Sequence, residues 1–352
     1  MKKIAVMAIA FLLSIPFASI NGNNVSLING ANGNTLYVGG SGPNNYTSIT
    51  EALGDASNGD TIFVYPGTYH ERLSIHKSIN LISKNRNTTI IDGGGVYDVV
   101  TILANSVIIS GFTIQNSGSG TDESGIHVQS SYNIITNNVI TKNYEGIYLE
   151  DSNYNAIANN VITKSYDGML LRDGSNYNHI FSNGIAYNER AGIRVSGLSG
   201  YNFSHNNISS NIISNNGGGM SFFDFSNNVI YGNVFNADGI SLQYSNNNYI
   251  YGNTIIPSSH NRTVVISLDF SFSNRVTHNN FMKNSAAFFH FSWVMGHNPY
   301  TNNWDGNYWG RPRILPKPIV GWWAPFLWLN FDWHPAMKPY GDFTLEMKPW
   351  KK

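Results

Sequence analysis

The sequence predicts an all-β fold, a right-handed parallel β-helix of roughly ten coils. Two observations predict this fold: a repeat of about 22 residues in the middle of the chain, and an alternation of apolar and polar residues within each copy. One copy is too short to bury an apolar face alone, whereas stacked coils form a continuous core and pair their strands about 4.8 Å apart. A helical solenoid is disfavoured, because it would need an apolar period of about 3.6 and few Gly or Asn residues.

The N-terminus is typical of a secretory signal. Lys2 and Lys3 precede an apolar run, Ile4 to Ile15, that is short for a membrane span. We therefore interpret residues 1–20 as a signal peptide and residues 21–35 as a linker, with an uncleaved anchor as the alternative. The prediction places the protein outside the cell, either secreted or at the cell surface.

A short helix is expected to cap the first coil, because a solenoid otherwise exposes a raw strand edge. Ser48 and Glu51 have the spacing of a capping box, and Ile49 and Ala52 lie on one helical face. Irregular strands are expected from Thr61 onward, before the regular repeats begin.

The regular repeats place apolar residues at fixed positions, and length changes between copies fall in the turns. The copies begin at Gly125, Gly146, Gly168, Gly192, Gly219 and Gly239. One predicted inward column is Ile126, Ile147, Met169, Ile193, Met220 and Ile240. Another is Ile135, Ile157, Ile180, Ile208, Ile230, Ile250 and Val276. Alternation at period two means that these side chains face a shared interior.

Asparagine recurs in register on both sides of the second column. The preceding set is Asn133, Asn155, Asn178, Asn206, Asn228, Asn248 and Asn274. The following set is Asn138, Asn160, Asn183, Asn211, Asn233, Asn253 and Asn279. We interpret both sets as structural, because Asn tolerates left-handed backbone at turns and stacked amides can hydrogen-bond along a solenoid.

The composition changes abruptly near the C-terminus. All eight tryptophans lie beyond residue 290, together with eight of the twelve prolines. We interpret residues 36–290 as the β-helix and residues 291–352 as a Trp/Pro-rich cap that folds back over the last coil and is not another coil. A partner-docking patch and an interfacial membrane contact are the alternatives for this segment.

The charge balance excludes some classes of partner. The chain has 21 basic and 21 acidic residues, so its net charge gives no electrostatic reason to expect a nucleic acid or an anionic membrane surface as partner. It has no cysteine, so disulfides and thiol chemistry are excluded.

The sequence resembles a known family. GDTIFVYPGTYHERLSIHKSINLIS, then TIIDGGG and the coils that follow, resemble the NosD-like β-helix proteins, which have a pectin-lyase-like fold. The resemblance covers roughly residues 36–284, and NNWDGNYWGRP at 302–312 resembles a C-terminal element of archaeal surface members. It implies the β-helix fold but no single activity, since the group includes lyases, hydrolases, epimerases, copper-associated maturation proteins and surface proteins.

One outward flank of the coils carries the candidate glycan contacts. They are His127, Gln129, Tyr148, Glu150, Asp151, Arg172, Asp173 and Arg194. Polar groups beside an exposed aromatic, here Tyr148, suit the hydroxyls and the apolar ring face of a sugar. The alternative is a solvated face with an ion pair between Glu150 and Arg172. Catalysis there would need paired acids, or an acid with a base, and the Asp-Asp and Gly-His-Gly motifs usual in glycosidases of this fold are missing.

The sequence contains two candidate metal sites. Glu145 and Asp167, one coil apart, could share a calcium ion. Imidazole and thioether groups near the C-terminus could bind copper. These are His290, Met295, His297, His334 and Met337. We interpret the acids as turn residues and the C-terminal set as cap residues, so the leading interpretation requires no cofactor.

The leading functional prediction is an exported binding or structural protein that contacts an extracellular glycan or a surface protein. One alternative is a polysaccharide lyase, epimerase or hydrolase that uses the same flank. The other is a copper-associated maturation factor like some NosD-like proteins. Contact with a membrane is expected only through the signal segment or the Trp-rich C-terminus.

Overall fold

The computed structural model describes residues 33–197, 203–258, 263–282, 285–292, 302–324 and 326–341. It also describes a short antiparallel pair, Ile20–Asn21 with Asn24–Val25. The expected signal segment therefore lies outside the described residues, apart from Ile20.

The described chain is a parallel β-solenoid of about eleven turns, which confirms the predicted fold class. Each turn contributes strands to three parallel sheets. The first sheet contains Leu73–Ile75, Val100–Ile102, Ser124–Val128, Glu145–Glu150, Asp167–Arg172, Ala191–Val195, Met220–Phe223, Ile240–Gln243, Thr263–Asp269, Ser285–Ser292 and Lys317–Ala324. The second contains Thr35–Val38, Thr61–Val64, Asn80–Ser83, Ile108–Ser110, Ile134–Thr136, Ala156–Ala158, His179–Phe181, Asn207–Ser209, Val229–Tyr231, Tyr249–Tyr251, Arg275–Thr277, Asn303–Asp305 and Phe326–Asp332. The third contains Gly67–Tyr69, Thr89–Asp92, Thr113–Gln115, Val139–Thr141, Val161–Thr163, Gly184–Ala186, Ile212–Ser214, Val234–Asn236, Thr254–Ile256, Asn280–Phe281 and Tyr308–Trp309.

The predicted apolar columns are aligned from coil to coil. Ile135 pairs with Ile157, and Ile157 pairs with Ile180. Ile126 pairs with Ile147 in the same way, and all four isoleucines are fully buried. Burying each such side chain contributes roughly 1.5–3 kcal/mol, so the interior column stabilises the whole rod.

The asparagines form two hydrogen-bonded ladders along the solenoid. In a typical step the backbone N–H of Asn133 donates to Asn155 Oδ1 at 2.9 Å, and Asn133 Nδ2 donates to the same oxygen at 3.0 Å. The predicted role of these amides in bonding along the solenoid is confirmed. The left-handed backbone, however, belongs to the residues just before them, such as Tyr132 (φ 64°) and Asn137 (φ 56°). The ladder residues are buried because their side chains point inward from each turn.

The N-terminal cap forms as expected. The one helix in the described residues is Ile49–Asp55, and the backbone N–H of Glu51 donates to Ser48 Oγ at 3.1 Å. Ile49 and Ala52 are buried against the first coils. Glu71, which the sequence pattern does not mark as a cap, accepts hydrogen bonds through its carboxylate from the backbone N–H groups of Ile49 and Thr50 at 2.9 and 2.8 Å. Those bonds satisfy donors that the first helical turn leaves free.

Coil strands continue beyond residue 290, into the segment that we expected to form only a cap. Asn303–Asp305 pairs in parallel with Arg275–Thr277, and Lys317–Ala324 pairs in parallel with Ser285–Ser292. The physical reason is that Trp304 pairs with Val276 and Trp309 pairs with Phe281, so buried tryptophans replace the usual aliphatic residues of the core.

The last two strands, Lys317–Ala324 and Phe326–Asp332, form an antiparallel hairpin that joins the first and second sheets. No helix in the described ranges is long and apolar enough to cross a membrane.

Candidate functional site

The predicted flank is a real column on the outer side of the first sheet, but its aromatic residue is not exposed. His127 pairs with Tyr148, and Leu170 pairs with Arg194. Tyr148 is only 1% exposed, which corrects our expectation of a ring open to solvent. Its ring stacks on the His127 imidazole, with centroids 4.4 Å apart.

A loop accounts for part of this burial. Asp122, in the loop 117–123, makes an ion pair with Arg172 at 2.6 Å, although Arg172 lies two coils further along. The loop therefore crosses the outer side of the first sheet near Tyr148. Arg172 therefore pairs with Asp122 and not, as we had expected, with Glu150. Glu150 and Arg172 are opposite each other in the parallel strands but do not form an ion pair.

His127 is held between two carboxylates. Its Nδ1 lies 2.9 Å from Asp98 Oδ2, and its Nε2 lies 3.0 Å from Glu150 Oε2. Gln129 Nε2 donates to the same Glu150 oxygen at 2.6 Å. Burial acts to raise the pKa of Glu150, but the hydrogen bond from Gln129, with the charge and hydrogen bond of His127, lowers it overall. Both imidazole nitrogens thus face protein acids, and neither is free to take a proton from a substrate.

Glu145 and Asp167 form a second buried cluster, with Arg194. Both acids are fully buried, and Arg194 donates to Asp167 Oδ2 through Nε and to Glu145 Oε1 through Nη2 at 3.2 Å. Burial, with the nearby charge of Asp167, raises the pKa of Glu145 to about 8. The pKa of Asp167 is also raised, mainly by burial. The guanidinium occupies the place between the acids where the calcium hypothesis put a cation.

The rest of the predicted flank is polar and open to varying degrees. Gln129 and Asp151 are exposed, and Asp173 is half-buried. The side chains of Glu150 and Arg172 are 31% and 35% exposed. The one aromatic residue of the predicted set, Tyr148, is buried, whereas the exposed and stacked rings of Tyr132, Tyr154 and Tyr177 lie at the next turn, which leads into the second sheet.

An open groove that we did not predict lies beside this flank, at the turn between the third and first sheets. Its volume is about 490 Å³. The groove is lined by Ser117, Gly118, Ser119, Lys142, Asn143, Tyr144, Lys164, Ser165, Tyr166, Tyr187 and Glu189. We call it the tyrosine–lysine groove.

Two pairs of side chains repeat along this groove. The rings of Tyr144 and Tyr166, in successive coils, stack with centroids 4.9 Å apart. Lys142 and Lys164 are exposed and precede these tyrosines by two residues. The guanidinium of Arg190 lies 5.7 Å from the Tyr166 ring centroid, so aromatic and cationic groups continue into the next coil.

The local backbone explains why these side chains project. Lys142 and Lys164 have left-handed φ values of 58° and 57°, which turn the chain sharply. The following residue points inward: Asn143 and Ser165 are both buried, and Asn143 Oδ1 accepts from the backbone N–H of Ser117 at 3.0 Å. The next residue in each copy, a tyrosine, must then point outward. The repeated letters Lys-x-Tyr in TKNYE and TKSYD were the sequence signal that could have revealed the groove.

The C-terminal residues considered for copper do not converge. His290 Nδ1 lies 2.8 Å from Asp269, whereas His334 Nδ1 lies 2.8 Å from Asp305. Met337 is exposed, and Met295 and His297 lie outside the described residues. The described part of the chain contains no group of three or more His, Cys, Asp or Glu side chains that could hold a metal ion. These residues therefore do not fit a copper site.

Comparison with known sequences identifies one family. A family model with the description "Periplasmic copper-binding protein (NosD)" matches residues 53–238. No curated protein matches the sequence.

Comparison with solved structures supports the fold. A PL6 alginate lyase in complex with a trisaccharide is 11% identical, with a TM-score of 0.58, and the match covers 78% of this chain and 70% of the lyase. The Dettilon tailspike protein gp208 is 16% identical, with a TM-score of 0.52 and coverage of 74% and 62%. ORF18 of Geobacillus virus E2 is 13% identical, with a TM-score of 0.52 and coverage of 80% and 59%. The chain thus spans less than two thirds of the two viral proteins, and these likenesses show the fold alone.

Proposed function

Because the matching model covers more than half of its length, this chain belongs to the NosD family, and we propose that it is an exported β-helix protein that binds an acidic polysaccharide. The proposed site is the tyrosine–lysine groove. The polymer would lie along the solenoid axis, across coils that repeat about every 4.8 Å.

The observation that carries the proposal is the repetition of one aromatic and one cation in successive coils. Tyr144 and Tyr166 offer ring edges and a hydroxyl each, which suit the mixed apolar and polar surface of a sugar. Lys142 and Lys164 are exposed beside them and can pair with the carboxylates of a uronate polymer. A repeating ligand is the natural match for a repeating site.

Charge favours an acidic polymer over a neutral one. Lys142 and Lys164 are exposed at the groove, and Glu189 is the exposed acid that lines it; Arg190 is also exposed but lies 4.0 Å from Asp167. The positive excess would attract a polyanion and make its binding dependent on salt concentration. A neutral glucan could use the tyrosines but not the lysines.

The comparisons support both parts of this proposal: a location outside the cytoplasm and contact with a glycan. The family description names periplasmic proteins, which agrees with export. One structure with the same fold is described as an alginate lyase in complex with a trisaccharide. We propose binding without catalysis, because His127, the imidazole on the neighbouring flank, has both nitrogens against carboxylates.

The family description also names copper, but we derive no step that uses it. His290 and His334, the imidazoles considered for copper, each face a different aspartate on a different sheet. The groove residues bear amine, hydroxyl and ring groups, which are poor copper ligands compared with imidazole and thioether.

The test is calorimetric titration of the exported protein with polygalacturonate and alginate, with dextran as a neutral control. We expect binding to both acidic polymers and none to dextran. Tyr144→Ala should weaken binding about tenfold or more, because loss of a central aromatic typically costs over 1 kcal/mol.

Tyr154→Ala is the matched control. Tyr154 is also a tyrosine stacked between coils, with its ring 5.0 Å from that of Tyr132, but it lies at the turn between the first and second sheets. An equal loss in Tyr154→Ala, or no binding of acidic polymers by the wild type, would contradict the proposal.

A further inference from the structure

The C-terminal hairpin presents an apolar face to solvent. Val320 lies opposite Leu329, and Trp322 lies opposite Leu327 in the antiparallel register. Directly opposed residues share one face of a sheet, so these four side chains form a single patch. Their exposed fractions are 40%, 41%, 47% and 62% for Val320, Leu329, Trp322 and Leu327 respectively. We call this patch the hairpin face.

The opposite face of the hairpin is buried, so the exposed side chains are not simply part of a poorly packed end. Ile319 is 1% exposed, and Trp328 packs against the hydrophobic core. One face of these two strands therefore covers the end of the solenoid core. The side chains of the other face are apolar although they do not pack in the core. An apolar face of this kind normally marks a surface that contacts something.

The strands at the C-terminal end of the first sheet are longer than those of most earlier coils. Strands of the first sheet have three to six residues between Leu73 and Gln243. Lys317–Ala324 and its neighbour Ser285–Ser292 have eight residues each. Trp322 lies in register with His290, Asp269 and Gln243, so the hairpin face continues the outward side of the first sheet onto the last coil.

Charge is distributed unevenly along the chain and indicates what the hairpin face contacts. Residues 311–352 contain seven Lys or Arg and three Asp or Glu, a net charge of +4, whereas the chain as a whole is neutral. Within this segment Arg311 and Lys338 are exposed and Asp332 is buried. A basic segment that carries an exposed apolar face complements a bilayer that contains anionic lipids.

We propose that the hairpin face inserts peripherally into an anionic lipid surface and holds the β-helix against a membrane. Trp322 and the two leucines would enter the boundary between headgroups and acyl chains, where the indole ring is well accommodated. Arg311 and Lys338 would pair with lipid phosphates. The tyrosine–lysine groove, several coils away, would remain free.

The test is sedimentation with vesicles of phosphatidylcholine alone or mixed with phosphatidylglycerol. The protein is purified in the processed form that its host produces, and mass spectrometry identifies its N-terminal residue. We expect it to sediment with the mixed vesicles and much less with phosphatidylcholine alone. Leu327→Ser should weaken binding about tenfold, and Arg311→Glu combined with Lys338→Glu should remove the preference for the anionic lipid.

Leu103→Ser is the matched control, because Leu103 is an exposed leucine (40%) near the other end of the rod. Near-ultraviolet circular dichroism establishes that each variant is folded. No sedimentation of the wild type with mixed vesicles, or equal losses in Leu103→Ser and Leu327→Ser, would overturn the proposal. So would a dimer in sedimentation velocity that Leu327→Ser abolishes, because the hairpin face would then contact a second copy of the chain.

Discussion

At the scale of single residues, the buried pair Glu145 and Asp167 links stability to pH. Arg194 contacts both acids, yet burial still raises the pKa of Glu145 to about 8, from 4.5 in the absence of the fold. The folded state thus holds a proton that the unfolded state releases between about pH 4.5 and 8. Stability from this group is present in full below that window and is lost as the pH rises through it.

We expect the free energy of unfolding to fall by about 3 kcal/mol between pH 5 and pH 8. Glu145→Gln should flatten this dependence, because the amide cannot release the proton. Urea titrations at the two pH values measure it. Glu189→Gln, at an exposed acid in the groove, should keep the wild-type slope. A wild-type slope in Glu145→Gln would contradict the role of Glu145.

Single residues also differ in how well their environment could be predicted from the sequence. The buried columns that contain Ile135 and Ile126 were predictable, because the alternation of apolar and polar residues along a strand indicates which side chains are buried. The burial of Tyr148 was not, because it depends on the loop 117–123 and on the contact of Asp122 with Arg172, fifty positions away. Glu71 was missed as a helix cap for the same reason, since it approaches Ile49 only after the first coil has closed.

At the scale of elements, the asparagine ladders have a direction and need an acceptor at the end. Each Asn donates towards the next coil, so the last one has donors without an Asn partner. The ladder through Asn279 and Asn307 ends on Asp332, whose Oδ2 accepts from the backbone N–H and Nδ2 of Asn307, both at 3.0 Å. Trp309 Nε1 donates to the same oxygen at 2.9 Å. This carboxylate fixes the hairpin to the solenoid.

Asp332→Ala should lower the free energy of unfolding by about 3 kcal/mol or more, because it leaves several buried donors unpaired. Asp332→Asn is the matched control, since its amide oxygen can still accept, and it should cost clearly less. Urea unfolding at neutral pH gives both values. A cost below about 0.5 kcal/mol for Asp332→Ala would mean that the ladder needs no acceptor at this end.

The same ladders show what an element-level pattern can and cannot predict. Register was visible because Asn recurs at fixed distances from the Ile column. The continuation of coils past residue 290 was hidden, because Trp304 and Trp309 replaced the aliphatic residues that mark the earlier coils. The groove was hidden because its lysines and tyrosines occupy turn positions, where polar residues are expected for structural reasons alone.

At the scale of the whole molecule, the solenoid sets the distance between two surfaces of different chemistry. The groove lies on the coils around Tyr144 and Tyr166, and the hairpin face lies on the last coil. We propose that the first contacts an acidic polysaccharide and the second contacts a lipid surface. The rod between them rests on the continuous core and the ladders, so neither contact requires the other to form.

The most direct measurement of the central claim is a crystal structure of the protein with a bound oligouronate. We expect the sugars to lie along the solenoid axis against Tyr144 and Tyr166, with carboxylates within hydrogen-bond distance of Lys142 or Lys164. An oligosaccharide bound instead on the flank at Gln129 and Asp151, or the same groove empty at saturating ligand, would contradict it.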